Sequence, residues 1–348
     1  MRDSRSPGKD LFSWLLFTLD FASLPLRPVM PPNLWPIISS VFGVILVMVI
    51  GGAGRRVGWL TREADRSLAR LTTNLLIPSF FLDRILAGSS TDDLSVAWLP
   101  PLVGFGTTTI AFMIALLLAR FCGRWCGLDT DAKQRSFALC AGICNYGYIP
   151  LPLAEKFYEN AVVDLILHNV GVDLALWSVG LAVLCGNSAG GWRQALTNPP
   201  LLAVIVAFTI KYVFGADVVP AFVMSSIALL AACAIPMGLV LSGAIIVDFL
   251  SEADWKNSWR VVIAAIGLRQ IVLPVMMLGF AGAMISSIDL RQVIMLQAAM
   301  PSAIFPVVLI RLYDKHVPTA LAVVLSTSIA ALVLIPLWLG IGQWWLGV

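Results

Sequence analysis

The sequence predicts an all-α protein that crosses a membrane many times. Of its 348 residues, 59% are hydrophobic and 12% are charged, whereas a soluble domain has roughly 25% charged residues. The mean hydropathy is +0.89. The apolar residues form runs of about 20, the length that a helix needs to cross the hydrocarbon core. These observations favour a polytopic membrane protein, and the small net charge of +3 gives no indication of nucleic-acid binding.

Ten runs are long and apolar enough to be assigned as transmembrane helices, which we call spans 1 to 10. The loops between them are too short for a soluble domain. In chain order the spans are 35–53, 65–87, 96–119, 135–154, 161–186, 199–214, 221–248, 259–282, 291–311 and 318–346.

Basic residues in the loops predict the orientation, because Lys and Arg are enriched in cytoplasmic loops. The loops after odd-numbered spans hold most of them: Arg55, Arg56, Arg62, Arg120, Arg124, Lys133, Arg135, Arg193, Lys256, Arg260, Arg311 and Lys315. The loops after even-numbered spans, with their edges, hold Arg84, Lys156, Lys211 and Arg291. The first set is therefore expected in the cytoplasm, and an even number of spans places both termini outside.

Residues 1–33 are treated as an N-terminal extension. They contain the apolar run LFSWLLFTL, which Asp20 ends before it is long enough to span. An interfacial helix and an upstream extension, with Met30 as the true start, are both consistent with this pattern.

Two spans carry a pair of prolines, which a straight helix does not accommodate. Span 4 contains CNYGYIPLP, with Pro150 and Pro152, and span 9 contains LQAAMPSAIFP, with Pro301 and Pro306. Proline lacks the backbone donor and clashes with the preceding turn. We therefore expect both spans to be broken helices.

The breaks fall at equivalent places when the chain is divided into two halves of five spans. The halves are residues 34–187 and 199–348, with 188–198 as a short cytoplasmic linker. Since five is odd, the halves have opposite orientations, which is the inverted-repeat plan of many transporters. Paired interrupted helices predict a binding site at mid-membrane, and the free donors at half-helix N-termini favour an anion.

Polar residues beside the breaks are the candidate ligands. Asn145 is predicted to hydrogen-bond a substrate carboxylate, or to cap the broken helix end. Tyr146 and the flexible Gly147 follow it, and Tyr146 either lines the cavity or only packs there. Gln297 and Ser302 complete a polar cradle from span 9, or serve as ordinary interhelical hydrogen-bonding groups.

Two charged residues lie in the middle of spans, Asp173 in span 5 and Arg269 in span 8. A charge at the bilayer centre costs about 2.5–3.5 kcal/mol on insertion scales, so each needs a partner. One interpretation is a mutual salt bridge. The other is that Arg269 attracts the anion while Asp173 takes and releases a proton. The hydroxyl residues at 326–328 in span 10 are interpreted as small packing residues.

The ordered motifs of the chain resemble those of the auxin efflux carrier family over residues 35–346. They include CNYGYIPLPLAEKFY, AIPMGLVLSGAII, RQIVLPVMML and AAMPSAIFPVVLIRLYDKH. The resemblance implies ten helices in two inverted repeats, with crossing breaks in spans 4 and 9, as in sodium/proton antiporters and bile-acid symporters. It further implies a scaffold of spans 1, 2, 6 and 7, a moving elevator unit of spans 3–5 and 8–10, and a homodimer.

Family substrates include auxin and small dicarboxylates. Two departures argue against auxin and against a proton site in span 3. Tyr146 stands where many relatives have a small residue, and span 3 begins VAWLPPLVGF, without the acid found in plant carriers.

The sequence thus predicts a secondary carrier of a small organic anion in the cell membrane, driven by a proton gradient or the membrane potential. No phosphate-binding loop for ATP occurs. No cofactor is expected, and two distant histidines make no metal signature. The alternative is a sodium-coupled organic-anion symporter of the related fold. An intramembrane enzyme is disfavoured because HExxH and GxGD motifs are absent.

Overall fold

The computed structural model describes residues 35–87, 97–186 and 199–348. All regular elements in these ranges are helices, so the predicted all-α class is confirmed for them. The proposed extension 1–33 and linker 188–198 lie outside the described residues. Six helical stretches in the described part of the chain are long and apolar enough to cross a membrane: Ile38–Val57, Leu99–Phe121, Glu159–Cys185, Ala221–Glu252, Trp255–Met284 and Val317–Leu346.

The described part of the first half contains eight α-helices. They are α1 (Trp35–Val57), α2 (Arg62–Leu71), α3 (Ile77–Ala87), α4 (Leu99–Phe121), α5 (Asp131–Gly142), α6 (Pro150–Phe157), α7 (Val162–Ala175) and α8 (Leu181–Cys185). Wide π-helical turns, Thr72–Leu76 and Leu176–Gly180, join α2 to α3 and α7 to α8.

The second half, from residue 199 onward, contains seven α-helices. They are α9 (Pro199–Thr209), α10 (Ala221–Glu252), α11 (Trp255–Gly267), α12 (Leu273–Met284), α13 (Ile288–Ala299), α14 (Phe305–Leu312) and α15 (Val317–Leu346). A π-helical turn, Leu268–Val272, joins α11 to α12.

Spans with one internal proline remain helical. The π turn before α3 precedes Pro78 and widens the backbone where the proline provides no donor. α10 and α15 run through Pro236 and Pro336 without ending. Among the described residues, the two spans with paired prolines instead contain non-helical stretches, at 143–149 and 300–304.

The helices pack in two groups. α10 lies against α1 and α3, and α3 lies against α9. In the other group, α4 lies against α5 and α7, while α15 lies against α5, α11 and α13. The first group comprises predicted spans 1, 2, 6 and 7. The groups meet where α15 contacts α1 and α10.

Glycines set the closest approach inside each group. A Cβ atom on Gly243 of α10 would lie 1.8 Å from the carbonyl oxygen of Met48 in α1, and a Cβ on Gly51 would lie 2.0 Å from that of Val240. In the other group, a Cβ on Gly171 of α7 would lie 1.9 Å from the carbonyl oxygen of Pro101. Small residues that bring backbones together drive helix association in lipid, where no hydrophobic effect acts between helices.

This contact makes Gly243→Ala destabilising. Alanine is the better helix former by about 1 kcal/mol, but its methyl group must push α1 away, and overpacking costs typically about 1–3 kcal/mol. We expect a lower thermal unfolding temperature in detergent. Gly43→Ala in α1 is the matched control, since a Cβ atom on Gly43 would meet nothing within 4 Å. Equal unfolding temperatures for the two variants would contradict the close packing of α1 and α10.

Candidate functional site: the crossing of two interrupted helices

The first interruption follows from the local sequence of α5 and α6. The Thr130 side chain accepts a hydrogen bond from the amide of Lys133 and caps α5. α5 ends at Gly142 because Ile143 takes an extended conformation, with φ −111° and ψ 133°. α6 then begins at Pro150, where the missing donor costs nothing in the first helical turn.

The second interruption has the same form. Ser287 caps α13, which ends at Ala299, and Met300 is extended with φ −78° and ψ 144°. Pro301 lies within the non-helical stretch, and Pro306 lies in the first turn of α14. Each break therefore has the C-terminus of one helix on one side and the N-terminus of a short helix on the other.

The two interruptions pair with each other through their backbones. Cys144 and Ser302 form an antiparallel β-bridge. The amide of Asn145 donates to the carbonyl of Pro301 at 2.7 Å, and the amide of Ala303 donates to that of Ile143 at 3.2 Å. Lipid offers no hydrogen bonds, so backbone groups released by a break must be satisfied inside the protein. This bridge satisfies four of them.

Gln297 connects the two interruptions through its side chain and is fully buried. Its Nε2 donates to the carbonyl of Tyr146 at 3.3 Å and to Oδ1 of Asn169 at 3.1 Å. Its Oε1 accepts from the thiol of Cys144 at 3.0 Å. The amide thus joins α13, the first break and α7.

Arg269 is buried and donates hydrogen bonds to the backbone at the second break. Only 1% of it is exposed. Its Nε donates to the carbonyl of Met300, and its Nη2 donates to that of Gln297, each at 3.0 Å. Both carbonyls lie at the C-terminal end of α13, where the helix dipole is negative and favours a cation.

Asp173 has a different partner. Its Oδ1 accepts from the phenol of Tyr146 at 2.6 Å. Among the ion pairs given for the described residues, none joins Asp173 to Arg269. Each charge has found hydrogen-bonding groups at the crossing.

Asn145 and Gly147 lie on either side of Tyr146 in the first break and differ in their surroundings. Asn145 is 7% exposed, and its backbone amide is paired with the carbonyl of Pro301. A Cβ atom on Gly147 would meet nothing within 4 Å. Tyr148, by contrast, packs against α10, where a Cβ on Gly238 would lie 1.9 Å from its ring.

Two residues at the crossing were not predicted as site residues. Thr327 of α15 is fully buried, and its hydroxyl accepts from the amide of Ser302 at 3.2 Å. Gln270 is also fully buried; its Nε2 donates to the carbonyl of Thr327 at 3.2 Å, and its backbone carbonyl accepts from Nε1 of Trp338 at 2.7 Å. The hydroxyl of Ser302 and Oε1 of Gln270 are buried without a protein partner in the described part of the chain. Gln270 could have been predicted as a site residue, because it is an amide next to Arg269 in an otherwise apolar span.

Comparisons with known proteins identify the family. The family model described as "Membrane transport protein" matches residues 36–191 and residues 188–339. An uncharacterized transporter of Methanothermobacter thermautotrophicus is 26% identical over 307 residues, which cover 86% of this chain and 96% of the relative. An uncharacterized transporter of Methanocaldococcus jannaschii is 22% identical over 302 residues, covering 85% of this chain and 95% of the relative. The chain therefore belongs to the membrane transport protein family, and its predicted membership of the auxin efflux carriers is confirmed.

Proposed function

We propose that the protein is a secondary carrier that moves a small organic anion, such as a mono- or dicarboxylate, across the cell membrane. The observation that carries the proposal is the polar crossing inside an apolar helical protein, where the hydroxyl of Ser302 is buried without a protein partner in the described part of the chain. A buried polar group without a partner is costly. A carboxylate that accepts from this hydroxyl, and from the side-chain amide of Asn145 in the paired break, would satisfy it.

The charge distribution at the crossing favours an anion. α6 and α14 both begin directly after a break, so the positive ends of their helix dipoles adjoin it. Arg269 adds a full positive charge behind the second break. It is too buried to be the first group that a substrate meets, so its proposed contribution is electrostatic.

The same position of Arg269 disfavours the sodium-coupled alternative. A sodium site at this crossing would need backbone carbonyls as ligands. Those of Gln297 and Met300 already accept from the guanidinium. Sodium-dependent uptake of the substrate would therefore contradict the proposal that Arg269 supplies the positive charge at the crossing.

The proposed mechanism is elevator-type alternating access by an inverted-repeat carrier. It is supported by two consecutive family matches, 36–191 and 188–339, by breaks at equivalent places, and by the packing of α1, α3, α9 and α10 as a group. In this proposal that group is the scaffold. The crossing moves with α4–α8 and α11–α15, both termini lie outside, and a homodimer is the expected assembly.

Asn145→Ala should lower the rate of transport. A hydrogen bond to a charged group contributes about 1.5–3 kcal/mol, which corresponds to a loss of about tenfold to a hundredfold. Proteoliposomes are offered radiolabelled malonate, malate or indole-3-acetate under an imposed pH step or voltage. Asn257→Ala is the matched control, because that amide only bonds Asp254 at the start of α11. Normal transport by the Asn145→Ala variant would contradict the assignment of Asn145 to the substrate site. If the wild type moved none of these carboxylates, the proposed substrate class would fail.

Asp173→Asn tests proton coupling. The hypothesis is that Asp173 takes up a proton when its hydrogen bond to Tyr146 breaks. Substrate transport by the wild type should then change across a pH series, and transport by Asp173→Asn should not. Tyr146→Phe removes the hydrogen bond and should shift the profile. Asp131→Asn, in the first turn of α5, is the control and should keep the wild-type profile, because the hydrogen bond from Arg135 lowers the pKa of the Asp131 carboxyl group. A change in protein yield alone, with the pH profile intact, would mean that Asp173 serves only the fold.

Within the described ranges, two ion pairs join the proposed scaffold to the proposed moving group. Arg84 of α3 pairs with Glu155 of α6, and Arg311 of α14 pairs with Glu252 of α10. They connect span 2 to span 4 and span 7 to span 9, so they occupy equivalent places with exchanged charges. Both are partly exposed, and each contributes at most about 1 kcal/mol.

Arg84→Glu should lower uptake by up to about fivefold, because it places like charges between α3 and α6. Combining it with Glu155→Arg should restore most of the activity. Lys133→Glu breaks a pair within one group, with Asp129, and is the control. Failure of the exchanged pair to recover, in a protein that folds normally, would show that the pair does not join the groups during transport.

A further inference from the structure

A cleft lined by two arginines and two tryptophans lies away from the crossing. The loop after α4 contributes Arg124 and Trp125, and α11 contributes Trp259 and Arg260. We call it the Arg/Trp cleft. Its volume is about 550 Å³. The loop lies directly on α11, since a Cβ atom on Gly127 would be 3.5 Å from Cβ of Arg260.

The position of the cleft is that of a membrane interface. α4 is an apolar span that ends just before the loop, and the apolar span formed by α11 and α12 begins one turn before Trp259. Trp125 is 84% exposed and Trp259 is 55% exposed. Tryptophan rings concentrate at the level of lipid headgroups. The basic loops predict that this end faces the cytoplasm.

Two carboxylates near the cleft, Asp129 and Asp131, have basic partners other than Arg124 and Arg260. Asp129 pairs with Lys133, and Asp131 pairs with Arg135 and Arg120. Hydrogen bonds from Lys133 and Arg135 lower the pKa of these two carboxyl groups, so both are ionised and already matched.

Neither arginine of the cleft takes part in an ion pair among the described residues. Arg260 lies over the ring of Trp259, with 5.2 Å between the guanidinium carbon and the ring centroid. A cation–π contact of this kind does not itself require hydrogen bonds from the guanidinium N–H groups.

We propose that the Arg/Trp cleft binds the phosphate headgroup of an anionic phospholipid. The two guanidinium groups hold the phosphate, and the two indole rings border the upper part of the acyl chains. Basic pockets at the cytoplasmic ends of transmembrane helices suit such headgroups. The site joins the loop between α4 and α5 to α11, so its occupation should stabilise the fold. It does not depend on which substrate the protein carries.

The test is thermal unfolding of the purified full chain in neutral detergent, titrated with phosphatidylglycerol or with phosphatidylcholine of the same acyl chains. Phosphatidylglycerol should raise the unfolding temperature in a saturable way, and phosphatidylcholine should not. For the double variant Arg124→Gln, Arg260→Gln the half-saturating concentration should rise about thirtyfold, taking about 1 kcal/mol per basic residue.

Arg56→Gln is the matched control. Arg56 is exposed, lies in the last turn of α1 and does not line the Arg/Trp cleft. The Arg56→Gln variant should bind phosphatidylglycerol like the wild type. The proposal is overturned if the double variant keeps wild-type affinity, or if Arg56→Gln loses as much, which would indicate general surface charge. Glycerol 3-phosphate is added as a separate arm. Equal stabilisation by this soluble anion would identify a site for free phosphate compounds and would also overturn the lipid assignment.

Discussion

The backbone pairing between the two breaks is the interaction on which the rest of the structure depends. Each break releases amide and carbonyl groups inside an apolar helical protein, and each such group costs several kcal/mol if it is buried in an apolar environment without a partner. The bridge at Cys144 and Ser302 lets each break satisfy the other. The pairing therefore couples two interruptions that lie in different halves of the chain.

Arg269 follows from the same constraint. An arginine in the middle of an apolar span is expensive to bury, and the sequence suggested a carboxylate as its partner. The structure instead provides two carbonyls at the C-terminal end of α13, those of Gln297 and Met300, where helix carbonyls lack a full set of intrahelical donors. The break and the charge therefore compensate each other: the guanidinium satisfies the helix end, and the helix end stabilises the guanidinium. Asp173 is left to interact with Tyr146 beside the first break.

Hydropathy and proline content were sufficient to place most of the helices and both candidate breaks, because membrane thickness and the missing proline donor act locally. Pairwise contacts were not predictable in this way. The hydroxyl of Thr327 looked like a packing group, yet it accepts from the backbone of the second break. Gly238 and Tyr148 are 90 residues apart in the sequence and come into contact because α10 lies beside the first break. The partner of Arg269 could not be read from residue types, since a backbone carbonyl has no sequence signature.

The distribution of contact strength bears on how such a protein could move. Inside each helix group, glycines bring backbones into direct contact, as for α1 with α10 and α4 with α7, and such packing has few alternative arrangements. Between the groups, the described contacts include the ring of Tyr148 on Gly238 and two partly exposed ion pairs. Ion pairs of that kind are weak and exchange readily with water. The ring of Tyr148 approaches Gly238 as closely as the backbones approach one another within the groups, so the interface between the groups combines one tight contact with weak ion pairs. If the proposed carrier mechanism holds, the ion pairs are the contacts that break most easily, and the contact between Tyr148 and Gly238 is the one that must be released for the crossing to move.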